Sequence, residues 1–345
     1  MVPAMNIVIS GGGMVGMTLA HLLRLRGFSP VVIERQREGE YMPRGYMLGF
    51  QGYEPLNEVG VFEEVRAQGR PIVEPREGEP PPAVAVRFGA LMEALARDLP
   101  VVYEHSVVDL VRDGDDRIVG VEVEGPDGRT TIDSDLVVAC DGVMSPARTM
   151  AGLTATVDEL ADGTLTWMSP QPTPLAFKMS YLSDGGHIGM LSWPQGSAGW
   201  RTIDKVGREA ALAPGLEAIK RMWIELMPEA EEGLAAVTSL DQLRYGEPKL
   251  LSCERWWVPG LVIIGDAAHF FGPETGVSSG IGLGDAHALA QAILQNPDDA
   301  DAACRSYELW RTPVVRPYEA MDPGRQRLVL AGGVTREEER WPPAS

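Results

Sequence analysis

Gly11, Gly13 and Gly16 stand at Gly-x-Gly-x-x-Gly spacing directly after Asn6-Ile7-Val8-Ile9-Ser10, a mostly apolar run of strand length. At a strand-to-helix turn of this kind the first glycine permits a tight bend, the second lets a pyrophosphate approach the backbone, and the third lets the helix pack closely on its strand. Helix N–H groups left without partners then face the anion. Glu34 closes a second apolar run, Val31-Val32-Ile33, at the place where a carboxylate accepts hydrogen bonds from an adenosine ribose. An acid there, and no arginine, fits a ribose without a 2′-phosphate. These residues therefore predict an FAD or NAD cradle in preference to NADP, and do not separate the first two.

Two more carboxylates end buried-strand patterns. Leu136-Val137-Val138-Ala139-Cys140 delivers Asp141-Gly142, and Leu261-Val262-Ile263-Ile264 delivers Gly265-Asp266-Ala267-Ala268-His269. Ligands of open α/β sheets bind at such carboxyl ends, and a carboxylate accepts readily from ribose or ribityl hydroxyls. Gly276-Val277-Ser278-Ser279-Gly280 opens a long apolar helix over about Ser279 to Leu294, whose N-terminal N–H groups and dipole favour an anionic group. His269 has no carboxylate partner that the sequence can assign, so a structural role fits it better than general-base work. Cys140 reads as a small hydrophobe in a buried strand and His21 as a partly exposed helical residue.

Periodicity supplies the elements that must position these groups. Val15, Leu19, Leu22 and Leu23 repeat at helical spacing, and Gly27 and Pro30 end that helix. Leu56, Val59, Val61 and Val65 predict one short helix. Residues 69–82, with Pro71, Pro75, Pro80, Pro81 and Pro82, read as a connector. Val84 and Val86 run into a helix carrying Leu91, Leu95 and Leu99, with Arg87 at its start. Val101 to Tyr103, Ser106 to Val111, Ile118 to Glu124 and Thr130 to Ile132 predict a small antiparallel sheet. Runs at 164–168, 175–181, 189–193 and 200–203 predict a second one, followed by a helix over Leu216 to Leu226. Arg148 falls on a helix after Asp141. The segment from Ala302 to Tyr318 reads as helical until Pro313 and Pro317 interrupt it, and Arg336 to Ser345 as a disordered tail.

The fold class is therefore α/β: a Rossmann-like domain whose strands return from separated parts of the chain, interleaved with a smaller, mainly antiparallel β-sheet domain and a C-terminal helix. The expected division assigns 1–70, 83–152 and 258–298 to the cofactor domain, 71–82 and 153–257 to the substrate domain, 299–335 to a helical segment and 336–345 to the tail. The 345 residues, 44% apolar and 23% charged, suffice for a sizeable core. A formal charge of −19 argues against nucleic acid or anionic membrane as partners. Cys140, Cys253 and Cys304 are far apart and without metal spacing, which suggests a reducing compartment and no metal. A strand begins within a few residues of Met1, leaving no room for a signal peptide, so the expected location is cytoplasmic.

The three motifs, in this order, resemble those of the para-hydroxybenzoate hydroxylase-like (class A) flavoprotein monooxygenases, and the resemblance runs from about residue 5 to residue 318. It rests on Gly11-x-Gly13-x-x-Gly16 with Glu34, on Cys140-Asp141-Gly142 with Ser145 and Arg148, and on Gly265 to His269 with Pro273, Gly276 and Asp285-Ala286. Tyr307-Glu308-Leu309-Trp310-Arg311-Thr312-Pro313 looks like the family's C-terminal helix. The resemblance implies a glutathione-reductase-type fold, FAD as cofactor, NADH or NADPH and O2 as co-substrates, and hydroxylation or epoxidation of an aromatic or polyketide-like small molecule through a flavin C4a-hydroperoxide. A flavin-dependent dehydrogenase, reductase or halogenase, or a flavin-bound protein without turnover, are the alternatives; the halogenase motif Trp-x-Trp-x-Ile-Pro is missing. A monomer or homodimer is expected.

By the same resemblance, cofactor contacts fall on Gly11, Gly13, Met14, Val15, Gly16, Glu34, Arg35, Arg44, Arg87, Val107, Asp141, Gly142, Asp266, Pro273, Gly276, Val277, Ser278, Ser279 and Gly280. Pro273 would lie at the oxygen-reactive face and, with Arg44, form the catalytic set. Substrate candidates are Met179, Tyr181, Trp193, Trp200, Arg201 and Phe271, although an aromatic at strand spacing also reads as core. Two departures stand out. Ser278 and Gly280 occupy positions where the family typically has Gly and Asn, and the short stretch from Val65 to Arg87 implies a more open pocket.

Overall fold

A computed structural model describes residues 5–42, 44–49, 52–72, 83–183, 186–272 and 276–320. Its centre is a six-stranded sheet in the order Trp257–Val258, Leu261–Ile263, Leu136–Ala139, Ile7–Ser10, Val31–Ile33, Val101–Val102. Neighbours run parallel except for the Trp257–Val258 edge. Leu136–Ala139 and Leu261–Ile263 are buried at every position, as parallel strands covered on both faces must be. Strands this far apart in the chain lie side by side, so the mixed α/β class expected from the sequence holds. Helix Ser278–Gln295 packs along helices Met14–Leu25 and Ala300–Glu319. No described helix is long and apolar enough to cross a membrane.

Three local expectations are corrected. Val101–Val102 is the outer strand of the parallel sheet, and the small antiparallel sheet contains only Ser106–Arg112, Ile118–Gly125 and Gly128–Asp133. Glu104, at φ 58°, turns the chain between the two sheets. The expected helix through Leu56 and Val65 is two helices, Tyr53–Glu58 and Phe62–Ala67, separated by Gly60 at φ 80°. Helix Ala300–Glu319 continues through Pro313 and Pro317. Each proline removes an N–H donor, but buried Tyr307, Arg311, Val315 and Tyr318 pin the helix on both sides of the gap, and packing wins. The connector at 69–82 contains the short strand Arg70–Pro71, paired with Ala83–Arg87. Most of that connector, Pro273 and the tail Arg336–Ser345 lie outside the described residues.

A five-stranded antiparallel sheet follows the order Phe177–Tyr181, His187–Trp193, Gly196–Asp204, Asp162–Ser169, Leu243–Gly246. Alternation gives it two faces. Leu165, Trp167, Ile188 and Met190 pack against Ile219 and Trp223 of helix Leu216–Leu226. The opposite face turns toward the large sheet. A three-stranded sheet of Gly45–Gly49, Ala83–Arg87 and Arg70–Pro71 packs on the antiparallel sheet through Ala85, Leu191 and Trp193.

Where the long helix crosses Gly265 to His269, Asp285 is fully buried. Its carboxylate accepts hydrogen bonds from the Gly265 N–H at 3.0 Å, His269 Nε2 at 2.7 Å and Arg311 Nε at 2.7 Å. Burial alone would push its pKa up; the attraction of His269 and Arg311 prevails and holds it below the usual carboxylate range. A depressed carboxyl stabilises the fold above its unfolded value of about 4, and that contribution is lost as pH falls through the folded value. Asp285→Asn, which leaves Arg311 buried without its counter-ion, should cost about 3–5 kcal/mol at neutral pH in urea unfolding. The difference from the parent should shrink below about pH 4. An unchanged unfolding midpoint at neutral pH would remove Asp285 from this role.

Candidate active site

A cavity of about 670 Å³ lies at the carboxyl ends of the parallel strands, between the large sheet and the free face of the antiparallel one. At one end is the glycine turn. Gly11 has φ 113°, and a Cβ there would come within 2.5 Å of the Cys140 carbonyl oxygen. A Cβ on Gly16 would lie 2.0 Å from the Gly11 oxygen and 2.8 Å from Cys140 Sγ, so this glycine lets helix and strand touch. Gly13 is different: a Cβ there meets nothing within 4 Å. It caps helix Met14–Leu25 without any side-chain hydrogen bond, so the first-turn N–H groups are open to an anion in the cavity. Glu34 braces the turn, with Oε2 accepting from the Gly12 N–H at 2.7 Å and Oε1 from the Gln36 N–H at 2.8 Å.

The middle of the cavity carries two carboxylates. Asp141 Oδ2 accepts from the Ala147 N–H at 3.1 Å, whereas Oδ1 is buried with no partner among the described residues. Burial raises the Asp141 pKa, against hydrogen bonds from Ser145 and the Ala147 backbone. Asp266 is raised by burial too, with His269 and Arg44 pulling it down. Buried Arg148 joins the two loops, donating through Nη1 to the Ala267 carbonyl at 2.8 Å and through Nη2 to the Val143 carbonyl at 3.0 Å.

At the far end helix Ser278–Gln295 begins, again without a side-chain cap. Tyr46 hydrogen-bonds Ser279, and its hydroxyl is pushed up to about 12 by burial, an effect that Ser279 and Arg44 oppose. The Arg44 guanidinium sits 4.1 Å above the Phe88 ring. A glycine cradle that a Cβ would fill, an orphaned buried Asp141 oxygen and two uncapped helix ends match the phosphates, the hydroxyls and the polar ring edge of FAD, so the residues present fit that cofactor.

Of the residues expected to meet the cofactor, Gly11, Gly13, Met14, Val15, Glu34, Arg35, Arg44, Val107, Asp141, Gly142, Asp266, Gly276, Ser278 and Ser279 line the cavity. Gly16, Arg87, Val277 and Gly280 are not in its wall. Arg87 is held away by a forked pair with Glu93, at 2.9 and 2.8 Å. Pro273 lies outside the described residues. Of the substrate candidates, Trp200 lines the cavity. Trp193 is packed against Gly45, Phe271 is stacked on His269 at 5.4 Å, Arg201 faces Met222 on the helix side, Tyr181 is half-exposed on an edge strand, and Met179, beside Gly189, lies beyond the wall. Sequence reasoning missed Tyr46, Met47 and Phe88; it pointed to the sheet of residues 164–204 and the loop near Phe270 for substrate contacts, but did not single out Thr164, Thr166, Met168, Phe177 and Leu191 there. Strand alternation offered a signal for part of this set, because Thr164, Thr166 and Met168 alternate with core residues Leu165 and Trp167.

Fold and site define a flavoprotein. The family model described as FAD binding domain matches residues 4–77 and 89–320, and the chain belongs to that family. It is an FAD-dependent monooxygenase of the para-hydroxybenzoate hydroxylase-like class. It is 26% identical to the 2-heptyl-3-hydroxy-4(1H)-quinolone synthase of Mycobacteroides abscessus, over 94% of this chain and 90% of that protein. With the 6-methylpretetramide 4-monooxygenase of Streptomyces rimosus it shares 24% identity over 95% and 85%. PqsL of Pseudomonas aeruginosa, solved with 2-aminobenzoylacetate, has the same fold, with a TM-score of 0.76, 20% identity and coverage of 94% and 98%.

The glycines separate binding from folding. Gly13→Ala, at an extended φ of −75° and with open space at its Cβ, should melt like the parent without cofactor yet bind FAD at least about tenfold more weakly in a fluorescence titration. Gly16→Ala should lower the melting temperature itself. Equal FAD affinity in Gly13→Ala and the parent would move the pyrophosphate elsewhere.

Proposed function

We propose that the protein hydroxylates a planar aromatic or polyketide-like small molecule, using NADH or NADPH as electron donor and O2 as oxygen source. One observation carries this reading. A single cavity joins the glycine cradle and paired carboxylates to Met47 and to a sheet face of Thr164, Thr166, Phe177, Leu191 and Trp200. By their names, one relative makes a quinolone and another oxygenates 6-methylpretetramide, which supports a ring compound as substrate.

FAD, when bound, supplies the redox chemistry that delivers oxygen to the substrate. The chain supplies position, charge and dryness. Uncapped N–H groups of helix Met14–Leu25 take the pyrophosphate, and Glu34, Asp141 and Asp266 accept from hydroxyls. The start of helix Ser278–Gln295 would hold the polar edge of the bound ring system through its N–H donors and positive dipole end, which favour negative charge there. Arg44, held over Phe88, acts electrostatically on both Tyr46 and Asp266. The sheet face offers two threonine hydroxyls among apolar side chains, so it selects a substrate by shape and stacking and keeps water away from the reacting atoms.

We assign residues 1–70, 83–152 and 258–298 to cofactor binding and 71–82 and 153–257 to the substrate side; of the expected C-terminal segment 299–335, helix Ala300–Glu319 is described and residues 321–335 lie outside the described residues. Pro273 is placed at the oxygen-reactive face on the resemblance alone. Free Cys140, Cys253 and Cys304 suit a reducing cytoplasm, where the chain would work as a monomer or homodimer.

The FAD-loaded protein, given NADH or NADPH and a panel of phenols, hydroxypyridines, quinolones and polyketide aromatics, should consume cofactor faster with a substrate present. Mass spectrometry should find an atom from isotopically labelled O2 in the product. Reduced cofactor consumed in step with substrate, but without oxygen incorporation, would make it a dehydrogenase instead.

A further inference from the structure

Gly189 and Trp200 face each other across the antiparallel strands His187–Trp193 and Gly196–Asp204. A Cβ on Gly189 would lie 2.3 Å from Cζ2, 2.6 Å from Cε2 and 3.0 Å from Cη2 of the indole, so the ring lies directly over the glycine. The Gly189 backbone is not in the left-handed region, so its conformation does not call for glycine. Glycine weakens a strand interior and marks a place where something comes close. Here that is the indole. Trp167 over Gly199 and Trp193 over Gly45 repeat the pairing, but those indoles are buried at 0% and 3% exposure. Trp200 is half-buried and forms part of the cavity wall, with Phe177 tilted beside it at 6.2 Å and Thr166 as its cross-strand partner on the other side.

We propose that Gly189 sets the depth of the substrate half of the cavity, and that the Trp200 indole it accommodates is the floor on which a fused planar ring system stacks. This rests on the reading of the site as an aromatic hydroxylase and names the feature that selects substrate thickness and ring count. Any side chain at position 189 must lift the indole by roughly an ångström or more, since carbon atoms pack no closer than about 3.5 Å. The displaced ring moves toward the cavity, because the strand closes the other side. Gly189 is thus a positioning residue that acts through Trp200, remote from the cofactor cradle.

FAD-loaded parent, Gly189→Ala, Trp200→Ala and the double variant Gly189→Ala/Trp200→Phe are titrated with hydroxypyridine, hydroxyquinoline and acridone, which carry one, two and three fused rings. Binding is read from the perturbation of flavin absorption, and FAD affinity is measured in parallel. Gly189→Ala should weaken acridone and hydroxyquinoline about tenfold while hydroxypyridine and FAD bind as in the parent. The smaller phenylalanine ring of the double variant should restore the fused-ring probes. Fused-ring binding unchanged in Gly189→Ala, or not restored in the double variant, overturns the proposal and leaves the hydroxylase reading standing. A parent that binds none of the three probes overturns both. If Gly189→Ala does not load FAD, Trp200→Ala decides: it must weaken all three probes with FAD affinity kept, and unchanged binding refutes the stacking floor.

Discussion

The buried carboxylate of Asp285 is the interaction on which the cofactor side of the molecule depends. It binds the backbone of Gly265, the ring of His269 and the guanidinium of Arg311, groups that come from a strand end, a short extended segment and the C-terminal helix. Removing a carboxylate from water is costly, and only charge-assisted partners on several sides make it favourable. The geometry next to it follows from this anchoring. With Gly265 held, Asp266 reaches the cavity; with His269 held, Phe271 stacks on it and Phe270 is left for the cavity wall. His269 therefore has a carboxylate partner, but one that is wholly enclosed and away from any substrate.

The substrate side is built on a different constraint, the two-residue period of a strand. One face of the antiparallel sheet fills the core under helix Leu216–Leu226, and the other is left as cavity wall. Because alternation ties the faces together, the wall cannot change register without exposing Leu165 and Trp167. The cofactor cradle and the substrate wall are thus held by separate means, one electrostatic and one by packing.

The residues that line the cradle end of the cavity were largely legible in the sequence because a close turn requires particular residues at particular points: glycine where backbones touch, an acid where a strand ends. The parts that were not legible depend on partners distant in the chain. Arg87 looks like Arg44 on paper, and only the fold shows that Glu93 holds it. Val101 carries the same apolar signal whether it joins a parallel or an antiparallel sheet. Pro313 and Pro317 read as helix breakers because the packing that outweighs them is invisible locally. Among the substrate candidates, aromatic type pointed to Trp193 as readily as to Trp200; their difference is which glycine each ring covers and what lies on its other side.

The Arg148 bridge between Val143 and Ala267 bears on how the protein is made. One side chain closes the site by joining segments 119 residues apart, and strand Leu136–Ala139 waits for Leu261–Ile263 to complete its pairing. During synthesis the antiparallel sheet, two of whose four strand pairings are local hairpins, emerges in full before the last inner strand of the parallel sheet. The nascent chain therefore carries a finished substrate platform beside an open cradle. Tight cofactor capture becomes a late event, coupled to release of the C-terminal third from the ribosome, and a chain stalled before Gly265 would expose its apolar strand edges to aggregation.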